Sequence, residues 1–524
     1  LTYVKTCSYM LFTLLVTTTL VYSGGAVLVT TPRGPIRGQD EGNYTTFFGV
    51  PFALVDEKNP FGVSLPYPQF ESPFEASDST VKCPQAVFTA TGILQCLRLN
   101  IYVPKTTTKN LPVLVWFHGG GFVFGSAGDY DGQYLSKRNI IVVTANYRLG
   151  PYGFFCLNTE EIPGNQGLKD QVDALKWVRN NIEAFGGDPS KVTIAGESYG
   201  GGSVELHFYS GFEKLFDKAI IQSGAINENG MLVKPDKRAA WNLARILKPD
   251  ISRRDALTFL AQADPIEVVK AFNSSGKLLR VCKEKKFLNK EVQNFFSEES
   301  AILYAPERIA NTPIMIGYNS KETFADFMSV PDEYYNTVAP NLFEKWIGDN
   351  FKLNKRELQK AADSVKKFYL GNQPINQDAM LGLVDFTSDF MVNHAEERAV
   401  TRFLNQTGIV YKYLFSYIGN SPYKNVTGVG AYHTEELQYL FDWVDVPLLS
   451  GDDNLLMRQR MTTFNPTPKS TTLLPVPWQF TVQSTRDYLN IDLEMQMKQN
   501  VYPQRISFWD NFWEEYGKKH KLRV

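Results

Sequence analysis

The chain has 524 residues, 43% hydrophobic and 21% charged, with 54 basic residues against 55 acidic ones. That is enough apolar side chain for a large core, and a net charge of −1 argues against a nucleic-acid partner. Five cysteines without C-x-x-C or Cys/His ligand spacing imply no metal site.

At the amino terminus Lys5 precedes the apolar run from Met10 to Tyr22, and the small residues Ser23 to Ala26 suit cleavage. Residues 1–24 therefore predict a signal peptide, its start expected upstream of Leu1, and a secreted, extracellular protein. The run is short for a membrane span and carries Thr17, Thr18 and Thr19, so no stable membrane anchor is expected. Residues 25–524 read as a single domain, without linker, repeat or low-complexity tract. Sequons at Asn43, Asn273, Asn405 and Asn425 fit an extracellular surface, whereas Pro466 disqualifies Asn465.

Strands are predicted at Leu99–Val103, Val113–Phe117, Ile140–Thr144, Val192–Ala195, Ala219–Ile221, Ile314–Ile316 and Val410–Phe415. Between them Leu168, Val172, Leu175, Val178, Ile182 and Phe185 recur at helical spacing up to the glycine stop Gly186-Gly187. Ile506, Trp509, Phe512, Trp513 and Tyr516 form one face of a closing helix, as core aromatics. The alternation predicts an α/β fold.

The chemistry sits at strand ends. Gly196-Glu-Ser-Tyr-Gly200 is a G-x-S-x-G pattern between a β-rich run and a helical one. It holds a serine on a sharp turn and makes Ser198 the candidate nucleophile. The strand Val113–Phe117 runs into His118-Gly-Gly-Gly-Phe122, whose amides can approach a ligand closely. Gly120, Gly121 and Tyr199 are the expected oxyanion donors.

Five histidines compete as the base. His118 belongs to the glycine loop, and His207 lies about 13 Å along a helix from Ser198 at ~1.5 Å per residue. His394 sits in a helical pattern and His520 in a basic tail. His433, in a loop after the last predicted strand, is the candidate base. The acid should fall between Ser198 and His433 in sequence. Glu322, at the turn after Thr312–Gly317, is the first choice, with Asp326 as the alternative.

These motifs, with Gly49-Val-Pro-Phe52, Asn146-Tyr-Arg-Leu-Gly150, Gly164-Asn-Gln-Gly-Leu-Lys-Asp-Gln171 and Phe185-Gly-Gly-Asp-Pro189, resemble the type-B carboxylesterase/cholinesterase family. The resemblance covers nearly everything after the leader, and Val50–Pro84 looks most like esterases described from moths. It implies an α/β-hydrolase fold: a central, mostly parallel mixed sheet with helices on both faces. It also implies a cofactor-free serine esterase acting on small ester substrates, with odorant and xenobiotic esters as candidates. By the same resemblance Glu197 lines the active-site gorge, Ser223 lies beside the triad, Arg148 and Asp170 form a buried ion pair, and Cys83 pairs with Cys96. Cys156 and Cys282 are expected as free thiols.

Two rival readings follow from the same resemblance. One is a catalytically inactive adhesion or binding protein, disfavoured by the complete Ser198, Glu322 and His433 set. The other is a choline esterase, which needs an aromatic cage. The loop Gln85–Gln95 carries no tryptophan, so neutral esters are expected instead. Glu197 also departs from the glutamine usual in juvenile hormone esterases. Tyr199 replaces the commoner alanine and is expected to narrow the pocket, and Gln95 and Arg98 replace an acid and a tyrosine beside Cys96. The segment Arg458–Phe464 meets Asn465-Pro466 about two helical turns early.

Overall fold

The apolar runs become strands buried on both faces, as parallel strands covered by helices must be. Leu111–Phe117, Ile141–Ala145 and Val410–Phe415 are buried almost throughout. The structure, a computed structural model, describes residues 25–226, 231–287, 293–297, 305–328, 330–406, 408–443, 449–462 and 475–520. The leader and residues 463–474 lie outside them, and Arg458–Met461 of the segment that meets Asn465 is the end of helix Asp452–Met461.

In chain order the main strands are β1 (Ala26–Thr31), β2 (Gly34–Asp40), β3 (Tyr44–Pro51), β4 (Arg98–Pro104), β5 (Leu111–Phe117) and β6 (Ile141–Ala145). They continue with β7 (Gly187–Glu197), β8 (Lys218–Gln222), β9 (Ile314–Asn319), β10 (Val410–Phe415), β11 (Asp487–Ile491) and β12 (Gln496–Gln499). The sheet order is β1-β2-β3-β4-β6-β5-β7-β8-β9-β10-β11-β12. From β6 to β11 every neighbouring pair is parallel, and both margins are antiparallel.

Register sets the site. Gly196 pairs with Phe117, Glu197 with Gln222, Gln222 with Gly317, and Asn319 with Phe415. The loops after β5, β7, β8, β9 and β10 therefore leave the same carboxyl edge, where open α/β sheets bind ligands.

Helix α1 (Gln166–Asn181) buries Leu168, Val172, Leu175 and Val178, then tightens into a 3-10 turn over Ile182–Phe185. Gly186 ends it with φ 85°, as the glycine stop predicts. Asp170 on α1 takes Arg148 in a forked pair, Nε to Oδ2 at 2.8 Å and Nη2 to Oδ1 at 2.7 Å. Arg148 Nη1 donates to the carbonyls of Pro60 and Gly62, so this buried cation is satisfied on three sides. The closing helix, Pro503–Tyr516, buries Trp509, Phe512 and Tyr516 as core. Asn43, Asn273, Asn405 and Asn425 are all exposed.

Cys83 and Cys96 are joined. The expectation for the other two cysteines is wrong: Cys156 and Cys282 form a second disulfide across 126 residues, with Cα atoms 6.5 Å apart. Two contacts bring them together. Val281–Cys282 pairs with Leu232–Val233, and Asn165 clamps the Cys282 backbone, its Oδ1 accepting from the N–H at 2.9 Å and its Nδ2 donating to the carbonyl at 2.8 Å. Gly164 leaves room for the bridge, since a Cβ there would stand 2.7 Å and 2.9 Å from the two sulfurs. Gln95 binds the Val55 backbone at both ends of its amide, and Arg98 Nη1 donates to Gly49 O at 3.2 Å.

Candidate active site

Ser198 joins β7 to α2 (Tyr199–Phe208) with φ 57° and ψ −128°, a strained conformation for a residue with a Cβ, typically costing about 1–3 kcal/mol. Neighbouring backbone holds it there: its N–H donates to Gln222 O at 2.8 Å, and its carbonyl accepts from Gly202 N–H at 3.0 Å. The flanking glycines are steric requirements. A Cβ on Gly196 would fall 2.5 Å from the Gly200 carbonyl, and one on Gly200 would overlap Phe117 O.

The glycine loop follows β5, with φ 93° at Gly120 and 62° at Gly121. Val123 and Phe124 N–H both donate to Gly120 O, and Gln85 of the first disulfide loop brackets Gly125 through both its amide atoms. Among the described residues neither the Gly120 nor the Gly121 amide has a hydrogen-bond partner, so both remain available to an incoming oxygen. The Tyr199 amide opens α2 beside them. A Cβ on Gly119 would stand 3.0 Å from both Ser198 Cβ and Glu197 Oε2, which places the loop, Ser198 and the Glu197 carboxylate side by side.

His433 leaves the loop after β10, and its backbone N–H donates to Glu322 O at 2.8 Å. Its Nδ1 lies 2.7 Å from Glu322 Oε2. Glu322 is buried, and its Oε1 accepts from Ser223 Oγ and from Asn319 N–H, both at 2.7 Å. Asp326, the alternative acid, is exposed and makes no such bond. Glu322 is thus the acid brought to His433, and Ser223 orients it.

The serine is not yet engaged. Among the described residues Ser198 Oγ makes no hydrogen bond to His433, whose Nε2 instead stands 3.1 Å from Glu197 Oε1. Burial lowers the His433 pKa, but Glu197, Glu322 and Glu436 raise it further, leaving it well above the ordinary imidazole value. The ring thus stands between two carboxylates, Glu322 at Nδ1 and Glu197 at Nε2.

Three residues behind the pair were not singled out by the sequence. Asn319 donates its amide to Tyr432 O at 2.7 Å and to Glu436 Oε2 at 2.6 Å, and Gln222 donates to Glu436 Oε1 at 3.1 Å. Burial, opposed by the Asn319 bond and reinforced by the charge of Glu322, pushes Glu436 up to about 7. Its place three residues after His433 was the one available signal. The remaining histidines are occupied elsewhere: His207 with Gln171, His394 with Asp510, His118 against Gly119 O and the Tyr147 ring, and His520 against the rings of Phe351 and Trp513.

The sequence model of the Carboxylesterase family matches residues 25–509. The chain belongs to that family. This carboxylesterase is 27% identical to venom carboxylesterase-6 of Apis mellifera, over 83% of this chain and 84% of that one. It is 30% identical to liver carboxylesterase 1F of Rattus norvegicus (79% and 77% covered) and to juvenile hormone esterase of Heliothis virescens (78% and 77%). It is a carboxylic ester hydrolase on the α/β-hydrolase fold, acting on small ester substrates. Among the described residues no cluster of His, Cys, Asp and Glu is arranged to hold a metal ion, and no helix is long and apolar enough to cross a membrane.

Proposed function

We propose that this is a secreted serine carboxylesterase that cleaves neutral carboxylic esters to acid and alcohol through an acyl-enzyme. The observation that carries this reading is the convergence of the Ser198 elbow, the triple-glycine loop and the Glu322–His433 pair on one sheet edge. With its proton lost, His433 Nε2 turns from Glu197 to Ser198 Oγ and takes the hydroxyl proton as Oγ attacks the ester carbonyl. Glu322 fixes the Nδ1–H tautomer and stabilises the imidazolium that forms. The amides of Gly120, Gly121 and Tyr199 receive the oxyanion, contacts of a kind worth roughly 3–4 kcal/mol each. His433 then protonates the departing alcohol, and water enters by the reverse path.

Neutral esters are favoured over choline esters because the Gln85–Gln95 loop offers Phe88, 82% exposed, in place of a tryptophan. The Tyr199 ring, which could otherwise face an ammonium, already carries the Arg280 guanidinium 5.0 Å from its centroid. The leader, the exposed sequons and the two disulfides support an extracellular, glycosylated single domain from residue 25, suited to odorant or xenobiotic esters. The inactive binding-protein reading gains nothing from a buried, hydrogen-bonded Glu322. Ser198→Ala tests the proposal: it should abolish turnover of p-nitrophenyl butyrate and labelling by an organophosphate while leaving the circular dichroism spectrum intact. Labelling that persists at another serine would displace the nucleophile.

A further inference from the structure

Arg280 is a buried cation with no acid beside it among the described residues. Only 9% of it is exposed, and among the described residues it forms no ion pair. Its single hydrogen bond runs from Nη1 to the carbonyl of Leu279 at 3.0 Å, and Nε is buried with no partner. The nearest acid in sequence, Glu284, is committed to Lys169 at 3.2 Å and to Asn165 at 2.7 Å. A guanidinium has five donors and loses much on leaving water unless they are met. An orphan of this kind calls for an explanation.

Its position supplies one. A Cβ on Gly121 would stand 3.6 Å from Arg280 Nη2, and the guanidinium lies over the Tyr199 ring. It therefore stands beside two of the three residues whose amides are proposed to receive the oxyanion. Its backbone is anchored there: the adjoining Val281–Cys282 strand is paired with Leu232–Val233, bridged to Cys156 and held by Asn165.

We propose that Arg280 is a specificity-determining residue that receives a carboxylate carried by the ester itself, so that anionic esters are substrates beside neutral ones. Arginine suits the task, since its planar fork matches a carboxylate with two parallel bonds. The inference rests on the esterase reading and extends its substrate range.

The test compares matched esters by kcat/KM. On the acyl side these are p-nitrophenyl hydrogen adipate and p-nitrophenyl hexanoate; on the alcohol side, 4-acetoxybenzoate and its methyl ester. In the wild type the anionic member of at least one pair should equal or exceed its neutral partner, and the pair that does so locates the carboxylate. Arg280→Gln should lower that ratio about tenfold or more, as loss of a charged hydrogen bond does. Arg280→Lys, which keeps the charge without the fork, should lower it less. Taking the ratio on one preparation cancels any loss of folded enzyme. An anionic-to-neutral ratio below one in both wild-type pairs overturns the proposal, with or without a stable variant, and so does an unchanged ratio in Arg280→Gln. Turnover of the neutral members tests the esterase reading separately, so a failure confined to the anionic members falls on Arg280 alone.

Discussion

Glu197→Gln removes one of the two carboxylates flanking His433 and keeps the side-chain shape. Glu197 Oε1 lies 3.1 Å from Nε2. Opposite unit charges at that separation attract by about 1.3 kcal/mol in bulk water and by about 5 kcal/mol at an effective dielectric near 20. His433 leaves 35% of its side chain exposed, which draws the value toward the lower figure. The imidazolium should therefore lose about 1–2 kcal/mol of stabilisation, and its pKa should fall.

The direction follows from the role of the base. His433 accepts the serine proton only when neutral, and its pKa in the folded protein is raised, so activity falls as pH drops through that raised value. Removing the Glu197 charge lowers the pKa. The acidic limb of the profile of kcat/KM against pH should therefore move to lower pH in Glu197→Gln, whatever happens to the plateau height. The measurement is a pH series with p-nitrophenyl butyrate on both proteins, with refolding checked at each extreme. A limb that stays in place, or moves upward, would refute the assignment of Glu197 as the partner holding Nε2.

Other consequences are as direct. Glu322→Gln and His433→Ala should each lower turnover by several orders of magnitude, because they act with Ser198 as a unit; full activity in either would move the triad elsewhere. Non-reducing peptide mapping should recover Cys156 linked to Cys282 as well as Cys83 to Cys96, and free thiols at the first pair would contradict the fold. Replacing Cys156 and Cys282 by serine should cost about 2–5 kcal/mol in denaturant unfolding, the loss expected when a long loop is released. A neutral acetate ester should surpass acetylcholine in kcat/KM, since the ammonium must be desolvated without a cage and beside Arg280. Equal efficiency would point to a cage built from other aromatics.

Much of the fold was legible because its central strands are fully buried. Val113–Phe117 is apolar throughout, and Val410–Phe415 is interrupted by one charge, Lys412, buried against Glu397. The margins were not. β2 reads Gly-Pro-Ile-Arg-Gly-Gln-Asp, and both its proline and its glycines argue against a strand that forms only because β1 and β3 pair with it. Ser198, His433 and Glu322 could be proposed from strand ends and chain order, and the structure brings Glu322 to His433. The Cys156–Cys282 bridge could not, since 126 intervening residues carry no information about distance. Arg280 belongs to no motif, and only its surroundings single it out.

In this structure His433 Nε2 stands beside Glu197 and is not bonded to Ser198. Glu197, Glu322 and Glu436 stabilise the imidazolium wherever it forms, in the resting protein as well as in the transition state. Only the part that grows during the reaction speeds it. Glu322, bonded to Nδ1 on the side away from the serine, can serve both states. Glu197, meeting Nε2 at rest, competes with Ser198 for the atom that must take the proton. Its benefit can appear only after Nε2 has turned to Oγ, when the positive ring again lies beside it. The acid limb of the rate profile is the cost of that arrangement, and it separates the two carboxylates: loss of Glu197 should shift the limb, whereas loss of Glu322 should collapse the plateau.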